Sequence, residues 1–180
     1  HVKSALRWAE RMSMIDRCPS VDMPSSSGSR GRALTFREVI RFFTSIKAVV
    51  TESERQSITD LVMVAWLGGL RLEEALKLSY DSPPVQLDLS ASLPCIRWRS
   101  DGQKSKREET TSLAPDFYRW LSSRHESGPV VQTSLAKRSI TEYLTEIGRA
   151  AEIKVNEDKH ATLHDFRRTF GQRWALRVHP

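Results

Sequence analysis

With 180 residues, 39% of them hydrophobic, the chain holds enough apolar material for one main folded domain and too much for wholesale disorder. Lys and Arg outnumber Asp and Glu by 28 to 22, a formal charge of +6; this favours a polyanionic partner, nucleic acid ahead of a membrane surface because no long basic amphipathic helix is present. The longest apolar run, residues 61–70, falls well short of a membrane span, and Cys18 and Cys95 make neither a disulfide framework nor a metal pair, which suits a reducing cytoplasm.

Residues 2–15 have helical spacing, with Val2, Leu6, Ala9 and Met12 or Ser13 on one face, and Cys18-Pro19 stops that helix. Residues 20–32 lose periodicity and are rich in Ser, Gly, Pro and Arg, a flexible basic linker. The first helix, residues 1–19, therefore reads as the end of a preceding domain or a docking arm, with the main domain over 33–180. Thr35 and Glu38 are spaced as a capping box opening a helix to about Ala48, with Val39, Ile40, Phe42, Phe43 and Ile46 inward. The next helix, from Thr51 or Ser53 to Leu67, is the expected centre of the core. It runs into Gly68-Gly69, a tight turn that a Cβ would resist. Arg71 stands at the start of the following helix, whose Leu70, Leu72, Ala75, Leu76 and Leu78 face inward. A guanidinium aimed outward from such an edge, near the positive end of a helix, is a fork for phosphate or carboxylate.

Beyond Leu78 the texture changes. Residues 85–89 and 95–99 alternate like strands, Asp101-Gly102 is a hairpin-type turn signal, and residues 108–113 read as a third strand. Lys104, Lys106 and Arg107 crowd the tip between the second and third strands. Helical spacing returns over 115–124, with Phe117, Trp120 and Leu121 inward, and over 139–153, with Ile140, Tyr143, Leu144, Ile147 and Ala151 inward. Thr162 and Asp165 are a second capping box, starting a helix with Leu163, Phe166, Phe170, Trp174 and Val178. The fold expected is mainly α with a small three-stranded antiparallel β-sheet, an α+β domain.

Three of these stretches together resemble a known family. Gly68-Gly69-Leu70-Arg71-Leu72-Glu73-Glu74 resembles the first arginine box of the tyrosine recombinases, the phage-integrase family. Gln103-Lys104-Ser105-Lys106-Arg107 followed by Thr110-Thr111-Ser112-Leu113 resembles their β-hairpin lysine and the strand after it. Leu163-His164-Asp165-Phe166-Arg167-Arg168 is similar to their His-x-x-Arg box. The matches fall in the family's order and cover the chain from about Ala33 onward, and residues 1–19 resemble the end of the helical core-binding domain that precedes the catalytic domain.

The resemblance implies cleavage and rejoining of double-stranded DNA through a 3′-phosphotyrosyl intermediate, with tetrameric self-association on the DNA and no cofactor. In that chemistry a protein mainly positions the phosphate and neutralises its non-bridging oxygens, work suited to two bidentate arginines, here Arg71 and Arg167. The resemblance assigns Lys104 as general acid toward the leaving 5′-oxygen, with Lys106 as the fallback. His164, one turn before Arg167, can accept the nucleophile's proton or bond the phosphate. Glu74, three residues after Arg71, can brace it. Lys106, Arg107 and Arg168 are expected DNA contacts.

The departure from the family pattern is the nucleophile. Tyr80, Tyr118 and Tyr143 all precede the His-x-x-Arg box, whereas the family's tyrosine follows it. The resemblance thus places the nucleophile beyond this chain and implies a fragment that binds DNA without forming the covalent link. His160 and His164 have a spacing that can ligate a metal, but Thr162 between them caps a helix that His160 precedes, and no third ligand is well placed; no metal is expected.

Overall fold

The computed structural model describes residues 2–19, 31–100, 107–124 and 127–178. Helix α1 (Val2–Arg11) ends short of Ile15, because Ser13 turns left-handed (φ 54°) and the Met14 N–H donates back to Ala9 O at 2.9 Å. The linker at residues 20–30 lies outside the described residues. Helix α2 (Phe36–Val49) starts as expected: the Glu38 N–H donates to Thr35 Oγ1 at 3.3 Å, and the Thr35 N–H donates to Glu38 Oε2 at 2.8 Å. Val39, Phe42 and Ile46 of α2 are buried, but Ile40 is 48% exposed and Phe36 68%. The inward placement of Ile40 is thus corrected: it sits a third of a turn away from the covered stripe.

Helix α3 (Glu52–Gly68) is the core helix, with Ile58, Leu61, Val62, Val64, Ala65 and Leu67 buried. Gly69 ends it in the left-handed conformation, and the six-residue α4 (Leu72–Lys77) follows. Next come strands β1 (Leu78–Ser79), β2 (Val85–Asp88), β3 (Cys95–Trp98) and β4 (Glu109–Ser112), then helices α5 (Pro115–Ser122), α6 (Lys137–Ala150) and α7 (Leu163–Val178). Helix α7 lies along α3, and the Phe166 ring meets Phe42 edge-on with centroids 4.8 Å apart.

The sheet corrects the expectation of three antiparallel strands. It has four, in the order β1-β2-β3-β4, and is mixed: β1 pairs parallel with β2, Leu78 opposite Val85, while β2–β3 and β3–β4 are antiparallel. A two-residue strand leaves no alternating signature, and Leu78 fits the helical stripe of α4 as well as a buried strand position. Among the described residues no helix is long and apolar enough to cross a membrane.

Residues 31–34 are stitched to this body. Arg32 pairs with Glu38 and donates to Lys154 O at 2.8 Å; the Leu34 N–H donates to Thr169 Oγ1 at 2.7 Å, and that hydroxyl donates to Asp165 O at 2.7 Å. Gly31 lies so close to α7 that a Cβ there would stand 2.2 Å from Asp165 Oδ1.

Candidate active site

Two glycines aim the first arginine. Gly69 has φ +67°, and a Cβ on it would sit 2.3 Å from the Phe170 ring; one on Gly68 would sit 2.5 Å from the Phe117 ring. The end of α3 is thus gripped between α5 and α7, and the chain leaves it with Arg71 as the residue capping α4. An arginine side chain has no acceptor to cap with. Glu74, one turn on, supplies the acceptor: its Oε2 takes the Arg71 N–H and its Oε1 takes Arg71 Nη1, both at 2.7 Å.

Arg167 arrives from α7. Its Nη1 donates to the Gly69 carbonyl and stands 3.4 Å from Glu74 Oε2. One carboxylate, only 8% exposed, therefore faces two guanidinium groups that are 53% (Arg71) and 33% (Arg167) exposed. The crowding is felt electrostatically: burial first, and then the charge of Arg71, push the Arg167 guanidinium below its usual range, with Glu74 opposing. It stays protonated even so.

Arg71 and Arg167 together line two hollows. One, of 280 Å³, is walled by Trp98 of β3 and by Thr111 and Ser112 of β4; the Trp98 ring N–H donates to Thr111 Oγ1 at 3.0 Å. The other, of 320 Å³, is walled by Thr141, Thr162 and His164. The arginine pair thus stands between the β3–β4 hairpin and the first turn of α7. His164 is exposed, yet the surface beneath it desolvates the imidazole and holds it below its usual pKa; Arg168, Arg167 and Arg71 push the same way and Asp165 pulls back.

The structure brings Arg71, Glu74, His164 and Arg167 together. Arg168 turns aside: its Nη1 pairs with Asp165 at 2.6 Å, and it lines a neighbouring hollow that also reaches His164. Arg107 is exposed just ahead of β4. Lys104 and Lys106 lie outside the described residues. Sequence reasoning missed the contact of Glu74 with Arg167, the Gly69 carbonyl as an acceptor, and Thr141 as a lining hydroxyl. Only the position of Glu74 one turn past Arg71 carried a signal.

None of the three tyrosines lines either hollow. The Tyr80 hydroxyl donates to Leu121 O at 3.1 Å, that of Tyr143 to Glu54 Oε2 at 2.8 Å, and Tyr118 lines a cavity beside Asp81 and Asp88. Among the described residues no three His, Cys, Asp or Glu side chains gather as a metal site.

No protein-family model and no curated protein matches the sequence. Solved structures do match. An integrase from mycobacterium phage Brujita superposes with a TM-score of 0.55 at 16% identity, over 94% of this chain and 54% of that one. A XerH site-specific recombinase in a pre-cleavage complex with its difH substrate gives 0.56 at 14% identity, over 97% and 52%. A lambda integrase tetramer bound to a Holliday junction gives 0.58 at 11% identity, over 98% and 52%. The chain therefore has the fold of the tyrosine recombinase catalytic domain. It spans about half the length of each of these structures.

Proposed function

We propose that the chain is the phosphate-binding part of the catalytic domain of a site-specific DNA recombinase or integrase. In this reading residues 33–180 belong to the catalytic domain, residues 20–32 to a linker and residues 1–19 to the end of a core-binding domain. The observation that carries it is the meeting of Arg71 and Arg167, far apart in sequence, on one buried carboxylate beside shared hollows. Two cations held in place before substrate arrives stabilise charge developing on a phosphate without reorganising.

Arg71 and Arg167 grip the non-bridging oxygens of the scissile phosphate, and Glu74 sets the angle between them. His164 takes the nucleophile's proton or bonds the phosphate. Lys104, with Lys106 as the fallback, protonates the leaving 5′-oxygen, while Lys106, Arg107 and Arg168 hold flanking phosphates. The tyrosine comes from residues other than these, and the reaction needs no metal or cofactor. The DNA-bound neighbours, one of them a tetramer on a junction, support duplex DNA as the substrate and self-association upon it. A protein doing this work acts in the cytoplasm.

The decisive experiment is made in the longest natural form of the protein. Arg71→Ala and Arg167→Ala should each cut strand cleavage on a nicked suicide duplex by about 10²–10³-fold, while most of the DNA affinity survives. If both variants merely weaken binding and no covalent adduct forms with the parent protein, the domain is a non-catalytic DNA-binding module of the same fold.

A further inference from the structure

Beside the arginine hollow lies another, of 490 Å³, between the last turns of α6, the loop over residues 153–160 and the first turn of α7. The two hollows share His164 as a wall. Arg149, Lys159, His160 and Arg168 line the second one, opposed by Asp158 and Asp165. These charges are not equally available. Arg168 pairs with Asp165, whose other oxygen takes the Thr162 N–H and hydroxyl, and Arg149 pairs with Glu146. Among the described residues Lys159, an exposed residue of this lining, forms no ion pair with a carboxylate, and its sequence neighbour Asp158 lines the same hollow.

The loop that presents Lys159 is a fixed hairpin. The Val155 N–H donates to Lys159 O at 2.9 Å, the Ala161 N–H donates to Ile153 O at 2.8 Å, and Lys154 bridges antiparallel to His160. Helix α6 is cut away to receive it: a Cβ on Gly148 would stand 2.0 Å from Ala161 O. A strand of DNA carries a phosphate every ~3.4 Å along the duplex axis. A strand with one phosphate at the arginine pair therefore runs its neighbours over the adjoining surface.

We infer that the hollow bounded by Lys159, His160 and His164 seats a second backbone phosphate of the same DNA, with Lys159 as the principal contact. The inference rests on Arg71 and Arg167 being the first phosphate site. A lysine supplies a point charge without the planar fork of an arginine, so this contact positions the strand and takes no part in the chemistry.

The test is the salt dependence of binding to a mixed-sequence duplex, which requires no knowledge of the target site. Each phosphate contact contributes about one to the slope of log affinity against log salt. Lys159→Ala should lower that slope by about one, Lys159→Arg should keep it, and Lys47→Ala, on α2, should leave it unchanged. A slope unaltered in Lys159→Ala, while the parent chain binds with a steep slope and Arg71→Ala lowers it, overturns the second site and spares the first. If the parent chain's affinity for duplex DNA does not fall with salt, both fail together.

Discussion

The carboxylate of Glu74 reaches Arg167 at 3.4 Å across 93 residues of sequence, and it does so while already holding Arg71. That contact makes α4 and α7 a single unit at the site. It also distinguishes Glu74 from a helix acid facing solvent, since a buried carboxylate with two cationic partners cannot be removed without leaving them uncompensated.

Glu74→Ala should cost about 1–3 kcal/mol, the range for leaving partly buried charged donors without an acceptor. Glu74→Gln keeps an acceptor for the Arg71 N–H and should cost less. Urea denaturation measures both; equal losses would mean that the acceptor kept by Gln contributes nothing and that the charge of Glu74 carries the whole effect.

Three glycines give a graded series. Gly69→Ala meets both a positive φ and the Phe170 ring, so backbone strain of about 1–3 kcal/mol adds to overpacking of a similar size. Gly128, at φ +74° with open space around it, should lose only about 1–2 kcal/mol on substitution by alanine. Gly171 lies within α7 with nothing near its Cβ position, and Gly171→Ala should stabilise by up to about 1 kcal/mol. Thermal melts of the three variants should fall in that order.

His164 titrates below its ordinary value of about 6.5 because of desolvation and the surrounding arginines. Between the folded and unfolded values the unfolded chain binds more protons, so stability rises with pH through that window, is complete above it and is lost as pH falls. An NMR titration of the imidazole should give a midpoint below 6.5, and Arg168→Gln should move it upward. A midpoint at or above the ordinary value in the parent chain contradicts the cationic setting described for this histidine.

Glu38 lies at the other extreme, its carboxyl brought down to about 2 by the hydrogen bond from Arg32 and by the Thr35 cap. A depressed acid contributes stability above its unfolded value, here 4.5, and loses it as pH falls toward the folded one. Glu38→Gln should therefore flatten the acid limb of a stability curve between roughly pH 4.5 and 2. A limb as steep as the parent's would place the linkage elsewhere.

How far the chain could be read in advance follows from the range of each interaction. The box at Thr35 and Glu38, the Gly68-Gly69 turn, and β2 and β3 are written in neighbours a few residues apart. Leu78 defeated that approach, because its burial serves a helical stripe and a two-residue strand equally. Ile40 did too: periodicity reveals which residues of α2 are apolar, whereas the partner elements decide how wide a stripe is covered. At the site, the order of the arginine and histidine boxes was legible. That Glu74 would face Arg167, and that Arg168 would turn to Asp165, depended on where α7 lies against α3.

Gly31 and Leu34 extend this coupling outward. They are fastened to the turn of α7 that carries His164 and Arg167, by contact with Asp165 in one case and by the Thr169 hydroxyl in the other. A larger residue at position 31, or loss of the Thr169 hydroxyl, should therefore displace that turn, and with it the spacing of the two guanidiniums, while the hydrophobic interior stays as it is.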